Sequence, residues 1–381
     1  NGKVDRRALP APVATGAAVA AAAAVATSGP REELVARCFR EVLALPRVGA
    51  QDDFFALGGH SLLAAQLTAR LGREAGRSVP MRVVFERPTV AGMAAWLAGE
   101  DDAAAPLPQV PRRDASGPAP LSLMQQRVWY LEQLQLGRTV FNVPSAHRLH
   151  GELDLAALQR ALAEIVRRQP VLRTVIETRD GEPSQLVRES VDTTLPLEDL
   201  AGYPAAEREA ELARRLEDQV AASFDLARGP LYRARLYRLD PAHHVLFFMA
   251  HHVIWDGWSF DLFYVEMSAL YAAYRAGREP ELPPPPVSYT DFAAWHRDWM
   301  SGPELARQLA FWRAKLDGAP AALALTTDRP RPATQGGEGG TEWLRIPDAT
   351  VRALRELGRG EGATLFMTLL ALWTLLLHRL C

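Results

Sequence analysis

The sequence predicts a multidomain chain: a small all-α bundle of three or four helices, then a larger mixed α/β domain. Three observations carry this. At 381 residues the chain is long enough for two or three cores. Over residues 31–99 the apolar positions recur at helical spacing, whereas from about residue 120 onward helical patterns alternate with short apolar runs of strand type. Two stretches rich in Ala and Pro, 11–30 and 100–119, have no periodic apolar face and read as linkers.

Composition excludes several classes. The net charge is −2 and the pI about 6.6, so there is no electrostatic footprint for nucleic acid or an anionic membrane surface. Cys38 and Cys381 are the only cysteines, which argues against a disulfide framework or a thiolate metal site and suits a reducing cytoplasm. No compact apolar segment follows Asn1-Gly2-Lys3, so no secretory signal is read. Residues 11–30 are too weakly hydrophobic to insert in a bilayer. Leu365 to Leu377 is strongly apolar but short for a span, and a buried core helix is expected there.

In the first domain, Arg31 to Leu43 places Leu34, Val35, Cys38, Phe39, Val42 and Leu43 on one helical face, with Glu32 and Glu33 in the first turn. A loop through Asp53 and Gly59 leads to a helix carrying Leu62, Leu63, Leu67 and Leu71. Val79 to Phe85 forms a short third segment, and Pro88-Thr89 opens a last helix through Leu97. Ser61, just ahead of its helix, reads either as an ordinary N-cap or as an exposed hydroxyl where the helix dipole favours an attached phosphate.

In the second domain a helix-like segment is expected from Pro120 to Tyr130, an amphipathic helix over 154–166, and a strand at Leu172 to Ile176. A helix over 207–224, a strand with alternating arginines over 231–239, and a fully buried strand at Val245 to Ala250 follow. Helices over 260–275, 289–300 and 304–316 come next, with a polyproline segment at Pro283 to Pro286 between the first two. The buried strand leads into His251-His252-x-x-x-Asp256-Gly257: titratable side chains where a rigid strand leaves the core, closed by an Asp-Gly turn.

Asp53-Phe54-Phe55-x-Leu57-Gly58-Gly59-His60-Ser61-Leu62 resembles the attachment motif of the peptidyl carrier domains of non-ribosomal peptide synthetases. The resemblance implies that Ser61, flanked by Gly59 and His60, receives a phosphopantetheine arm from a separate phosphopantetheinyl transferase, and that the arm holds an aminoacyl or peptidyl thioester. Asn1-Gly2-Lys3-Val4-Asp5-Arg6 resembles the last motif of an adenylation domain, whose lysine corresponds to Lys3. Four further motifs resemble those of the condensation domain of the same synthetases, of the chloramphenicol-acetyltransferase-like fold. They are Ser122-x-Met124-Gln125-x-Arg127-x-Trp129, Arg168-Gln169-Pro170-Val171-Leu172-Arg173-Thr174, the His251 to Gly257 motif, and Ser288-Tyr289-x-Asp291-Phe292-x-x-Trp295. Met124 stands where alanine is usual, and Gln169 where histidine is frequent.

The implied organisation is an adenylation-domain end at 1–10, a linker at 11–30, a carrier at 31–99 and a linker at 100–119. A condensation N-terminal lobe at 120–300 and the start of its second lobe at 301–381 follow. Most of that second lobe is expected beyond Cys381, so that the isolated fragment is expected to be inactive. The opening motif and Asp256 to Ser259 resemble the subtype that accepts an L-configured donor. Upstream adenylation, and downstream adenylation and carrier domains, are the implied partners, and a cytoplasmic location is expected.

By the same carry-over, His252 is the residue that serves amide formation, as a general base or as a positioning and electrostatic group, with His251 packed behind it. Asp256 either orients His252 as in a triad or pairs with Arg173 to hold the loop whose turn Gly257 permits; a salt bridge between Arg173 and Asp256 is the expectation. A metal site built on His251, His252 and Asp256 is disfavoured, because adjacent strand residues face opposite ways. A rival reading keeps only the carrier as functional.

Overall fold

The structure, a computed structural model, describes residues 27–59, 61–99, 109–113, 117–134, 139–179, 181–320, 322–330, 340 and 342–381, the side chains of 61, 62 and 179 excepted. Lys3, residues 11–26 of the first linker and His60 lie outside these. The chain divides into two compact units, one formed up to Gln109 together with Trp343–Cys381, the other Val110–Glu342.

In the first unit, α1 (Pro30–Leu43), α2 (Ser61–Ala75), α3 (Met81–Glu86) and α4 (Val90–Ala98) close around one core. Pro30 opens α1 where its missing N–H costs nothing, and Glu32 and Glu33 complement the helix dipole. Val35, Phe39, Phe54, Leu67, Leu71 and Met93 fill the interior. The Phe39 and Phe54 rings meet edge to face at 5.2 Å, a contact contributing about 1 kcal/mol beyond area burial. Thr89 caps α4 by accepting from Gly92 N–H.

α11 (Asp348–Gly360) and α12 (Leu365–Leu380) belong to the same unit, bent by 100° at the break between them. The expectation of a buried core helix at Leu365 to Leu377 is not met: Phe366, Leu370, Trp373, Leu375 and Leu376 are exposed. A helix apolar on every side needs cover on every side, and Thr368 is its one buried residue among those described. No single helix among the described residues is long and apolar enough to cross a membrane, although this bent pair passes that test together.

The second unit is built on a four-stranded sheet in the order β2 (Asn142–His150), β7 (His243–His251), β6 (Tyr232–Asp240), β5 (Leu197–Asp199). Only the β5–β6 pair is parallel. β7 is buried on both faces, which explains its continuous apolar run. Leu246, Phe248 and Ala250 join a core with α6 (Leu155–Arg168) and α8 (Gly257–Arg275). Val245, Phe247 and Met249 face α7 (Ala205–Val220) through Leu212. A second, antiparallel sheet has the order β1 (Ala119–Pro120), β4 (Glu182–Val187), β3 (Thr174–Arg179).

α5 (Leu123–Leu134), α9 (Tyr289–Met300) and α10 (Pro303–Leu316) complete the unit. The strand expected at 172–176 starts later, because Pro170–Arg173 forms a 3-10 turn first. The tail of the stretch expected to be linker is fastened. Arg112 donates to the Pro286 carbonyl at 2.7 Å, Arg113 N–H donates to Asp291 at 2.9 Å, and Ala119 pairs with Gln185 in the small sheet.

Candidate functional site

Two places gather the sequence-predicted residues, one in each unit. In the first, the loop ahead of α2 is tied down by its own side chains. Asp53 accepts from the Phe55 and Ala56 amides at 2.8 and 2.9 Å, and Phe54 N–H donates to the Pro88 carbonyl at 2.8 Å. The Phe54 side chain is fully buried. Gly59 lies against it so closely that a Cβ would sit 2.4 Å from the Phe54 ring and 2.5 Å from its carbonyl oxygen, while Gly58 takes φ +104°. The two glycines let the backbone turn tightly and deliver residue 61 to the first position of α2, a helix of 15 residues.

This position fits a phosphodiester. Free first-turn amides and the positive end of the helix dipole favour a phosphate there, and the loop leaves no room for a larger residue at 59. The Ser61 side chain and His60 lie outside the described residues.

In the second unit, β7 ends on His251 and His252 opens the turn beyond it, the first buried and the second exposed. His251 is 2% exposed, between Phe141 and Phe224. Its Nδ1 accepts from Val253 N–H at 3.1 Å, and its Nε2 faces the Glu132 carboxyl at 3.8 Å. Burial holds the His251 imidazole down at about 4, with the adjacent His252 a smaller cause, so it is neutral at pH 7. Burial likewise pushes the Glu132 carboxyl up.

His252 is exposed. Its N–H donates to the Phe141 carbonyl at 2.8 Å, and its Nδ1 lies 2.6 Å from the Trp255 carbonyl. A carbonyl only accepts, so Nδ1 carries the hydrogen and Nε2 keeps the lone pair of the neutral ring. The side chain is therefore oriented and its basic nitrogen is the one left free.

Asp256 does neither of the things expected of it. It is the N-cap of α8, accepting at Oδ1 from Ser259 N–H at 2.9 Å and from Ser259 Oγ at 2.6 Å. It makes no hydrogen bond to His252, so there is no triad. Nor does it pair with Arg173, whose guanidinium donates to four carbonyls instead: Val166 at 3.1 Å, Arg167 at 3.4 Å, Arg188 at 2.5 Å and Glu189 at 3.2 Å. The expected salt bridge fails for a topological reason. Arg173 ends a 3-10 turn leading into β3, which belongs to the small sheet and does not neighbour β7. Gly257 begins α8 without a positive φ and with open space where a Cβ would stand, so the turn expected to depend on it does not require a glycine.

Three of the four motifs of the second domain are joined by hydrogen bonds around this turn. Ser122 and Gln125 cap the start of α5 reciprocally, at 3.0 and 3.2 Å, and Ser122 Oγ lies 3.0 Å from Tyr289 OH. Ser288 and Asp291 form a capping box on α9. Gln125 also reaches the Val253 carbonyl at 3.2 Å. Sequence reasoning gave no role to Gln125, Ser259, Glu132 or Phe141. The first two lie in or beside recognised motifs, but the partners of all four are set by the fold. Among the described residues no three His, Cys, Asp or Glu side chains are grouped to hold a metal ion.

The model of the Condensation domain family matches residues 115–381, and that of the Phosphopantetheine attachment site matches residues 33–97. A linear gramicidin synthase of Brevibacillus parabrevis is 43% identical over all of this chain, which spans 5% of that protein. A dimodular nonribosomal peptide synthase of Bacillus subtilis (strain 168) is 39% identical, again over all of this chain, which spans 16% of it. Among solved structures, the X-domain from teicoplanin biosynthesis superposes with a TM-score of 0.64 at 29% identity, covering 72% of this chain and 60% of that one.

Proposed function

Since the chain belongs to the Condensation domain family and joins to it a phosphopantetheine attachment domain, we propose that it works as the carrier and condensing parts of a non-ribosomal peptide synthetase. In this reading Ser61 bears the phosphopantetheine and His252 serves amide formation between the donor on this carrier and an acceptor amine held downstream. The observation that carries the reading is the orientation of His252: Nδ1–H spent on the Trp255 carbonyl, Nε2 free on an exposed ring.

When bound, phosphopantetheine supplies a long arm whose terminal thiol holds the acyl group as a thioester. The rest is the work of the chain. An α-amino group has a pKa of about 8, so a useful fraction is unprotonated at neutral pH. His252 Nε2 would take the proton that the amine sheds as its nitrogen bonds to the donor carbonyl carbon, and would return it to the leaving thiolate, so that an amide and a free thiol are the products. His251, buried and neutral, backs the turn without adding charge beside the reacting groups.

A phosphopantetheinyl transferase, an upstream adenylation domain and downstream adenylation and carrier domains are the partners this chemistry requires. The resemblance of Ser122 to Trp129 and of Asp256 to Ser259 to the subtype that accepts an L-configured donor supports an L-configured donor here. The test has two arms. Incubation with coenzyme A and a transferase adds the mass of phosphopantetheine, and Ser61→Ala abolishes the gain. In the complete holo-synthetase, His252→Ala stops peptide formation while leaving donor loading intact; peptide formed at the wild-type rate overturns the reading.

A second reading, in which the carrier alone acts and the condensing region is inert by itself, is supported by α10, which buries none of its residues and exposes Phe311 and Trp312. Full activity of this chain with a separately supplied acceptor thioester would remove that reading.

A further inference from the structure

The turn that carries His252 is gripped from two helices by side chains that hydrogen-bond to neither imidazole. Gln125, on α5, is 2% exposed. Its Oε1 accepts from Ser122 N–H at 3.0 Å, and its Nε2 donates to Gln185 Oε1 at 3.3 Å and to the Val253 carbonyl at 3.2 Å. A peptide N–H only donates and a peptide carbonyl only accepts, so this amide cannot be turned over. The Val253 carbonyl shares a rigid peptide plane with Ile254 N–H, which itself donates to the His251 carbonyl at 3.0 Å. That plane is therefore held at both ends.

Ser259, on α8, grips the next plane but one. Its Oγ accepts from Asp256 N–H at 3.3 Å and donates to Asp256 Oδ1 at 2.6 Å. Asp256 N–H and the Trp255 carbonyl belong to one peptide group, and that carbonyl is the acceptor that fixes His252 Nδ1–H at 2.6 Å. Rotation of this plane would aim the carbonyl away from the imidazole and release the ring.

We propose that Gln125 and Ser259 are positioning residues for His252, acting through the peptide planes at 253–254 and 255–256 to hold the imidazole with Nε2 free. This rests on the assignment of His252 to amide formation. Neither residue touches substrate in this scheme; each sets the aim of the base, where a misplacement of about 1 Å costs on the order of a hundredfold in rate.

The test is single-turnover peptide formation in the complete holo-synthetase. Ser259→Ala is the mild variant, because Asp256 Oδ1 still accepts from the residue-259 N–H and keeps the helix capped. It is expected to lower kcat about tenfold with the acceptor KM unchanged, and Ser259→Thr, which keeps the hydroxyl, to restore most of the rate. Gln125→Leu is expected to behave likewise, whereas Gln185→Met, which breaks the amide chain but spares the Val253 bond, keeps the rate. In a His252→Ala background neither Ser259→Ala nor Gln125→Leu lowers the residual rate further.

Wild-type kcat in Ser259→Ala overturns the proposal, as does a further fall in the absence of the imidazole. If Gln125→Leu fails to fold, as read by its thermal midpoint, Ser259→Ala and its threonine rescue decide. Should His252→Ala itself form peptide at the wild-type rate, the reading beneath the proposal falls and the proposal with it; a dead His252→Ala beside a fully active Ser259→Ala sinks the proposal alone.

Discussion

Acidification should loosen the second unit through one side chain, His251. The unfolded imidazole titrates at about 6.5 and the folded one at about 4, chiefly because burial penalises the charged ring. A base whose folded pKa is depressed contributes full stability above 6.5; that contribution falls as pH drops from 6.5 to about 4 and is flat below. At about 1.4 kcal/mol for each tenfold change in proton affinity, the gap amounts to about 3 kcal/mol. Glu132, 3.8 Å away, works in the opposite sense. Burial raises its pKa, so its contribution is present below 4.5 and is lost as pH rises through the folded value. The difference between wild type and His251→Asn isolates the histidine, since the asparagine Oδ1 still accepts from Val253 N–H but does not titrate. Urea midpoints read from tryptophan fluorescence at pH 7 and pH 4 are the assay. The wild type should lose about 3 kcal/mol more than the variant over that interval. Parallel losses in the two proteins would refute the reasoning.

Three other outcomes are expected. Gly59→Ala drives a Cβ to 2.4 Å from a fully buried phenyl ring and 2.5 Å from a backbone oxygen, so thermal unfolding should show a loss of about 1–3 kcal/mol in the carrier, with slower phosphopantetheine transfer measured by mass. Asp256→Asn, which keeps an N-capping oxygen, should cost only a few tenths of a kcal/mol, while Asp256→Ala loses the cap and about 1 kcal/mol; equal, large losses in both would revive a role for the charge. Arg173→Met strips a donor from four carbonyls, and a fall of about 1–3 kcal/mol in urea unfolding is expected, with Arg173→Met, Asp256→Asn and their double variant additive because the two residues are not partners.

The local patterns were legible because their cause is local. Helical spacing placed α1, α6 and α9 to within about two residues, and the apolar run of β7 announced a strand covered on both faces. Strand alternation then required one histidine of the pair to face inward and the other outward, as His251 and His252 do. β2 went unread because it is an edge strand whose Ser145, His147 and Arg148 blur the alternation of a half-buried face. α12 shows the converse: apolarity specified a helix, but not what covers it.

By itself, then, the sequence determined two kinds of domain, the loop that brings Ser61 to a helix start, and the pair of histidines at the end of a buried strand, since each follows from spacing within a few residues. Tertiary structure alone decided the company they keep. Gln125 meets Val253 across 128 residues, and Arg173 turns to backbone carbonyls because its strand joins the other sheet. Hydrogen-bond partners so far apart leave no periodic trace in a chain; they are fixed only when sheet order and helix packing bring one donor to one acceptor and no other.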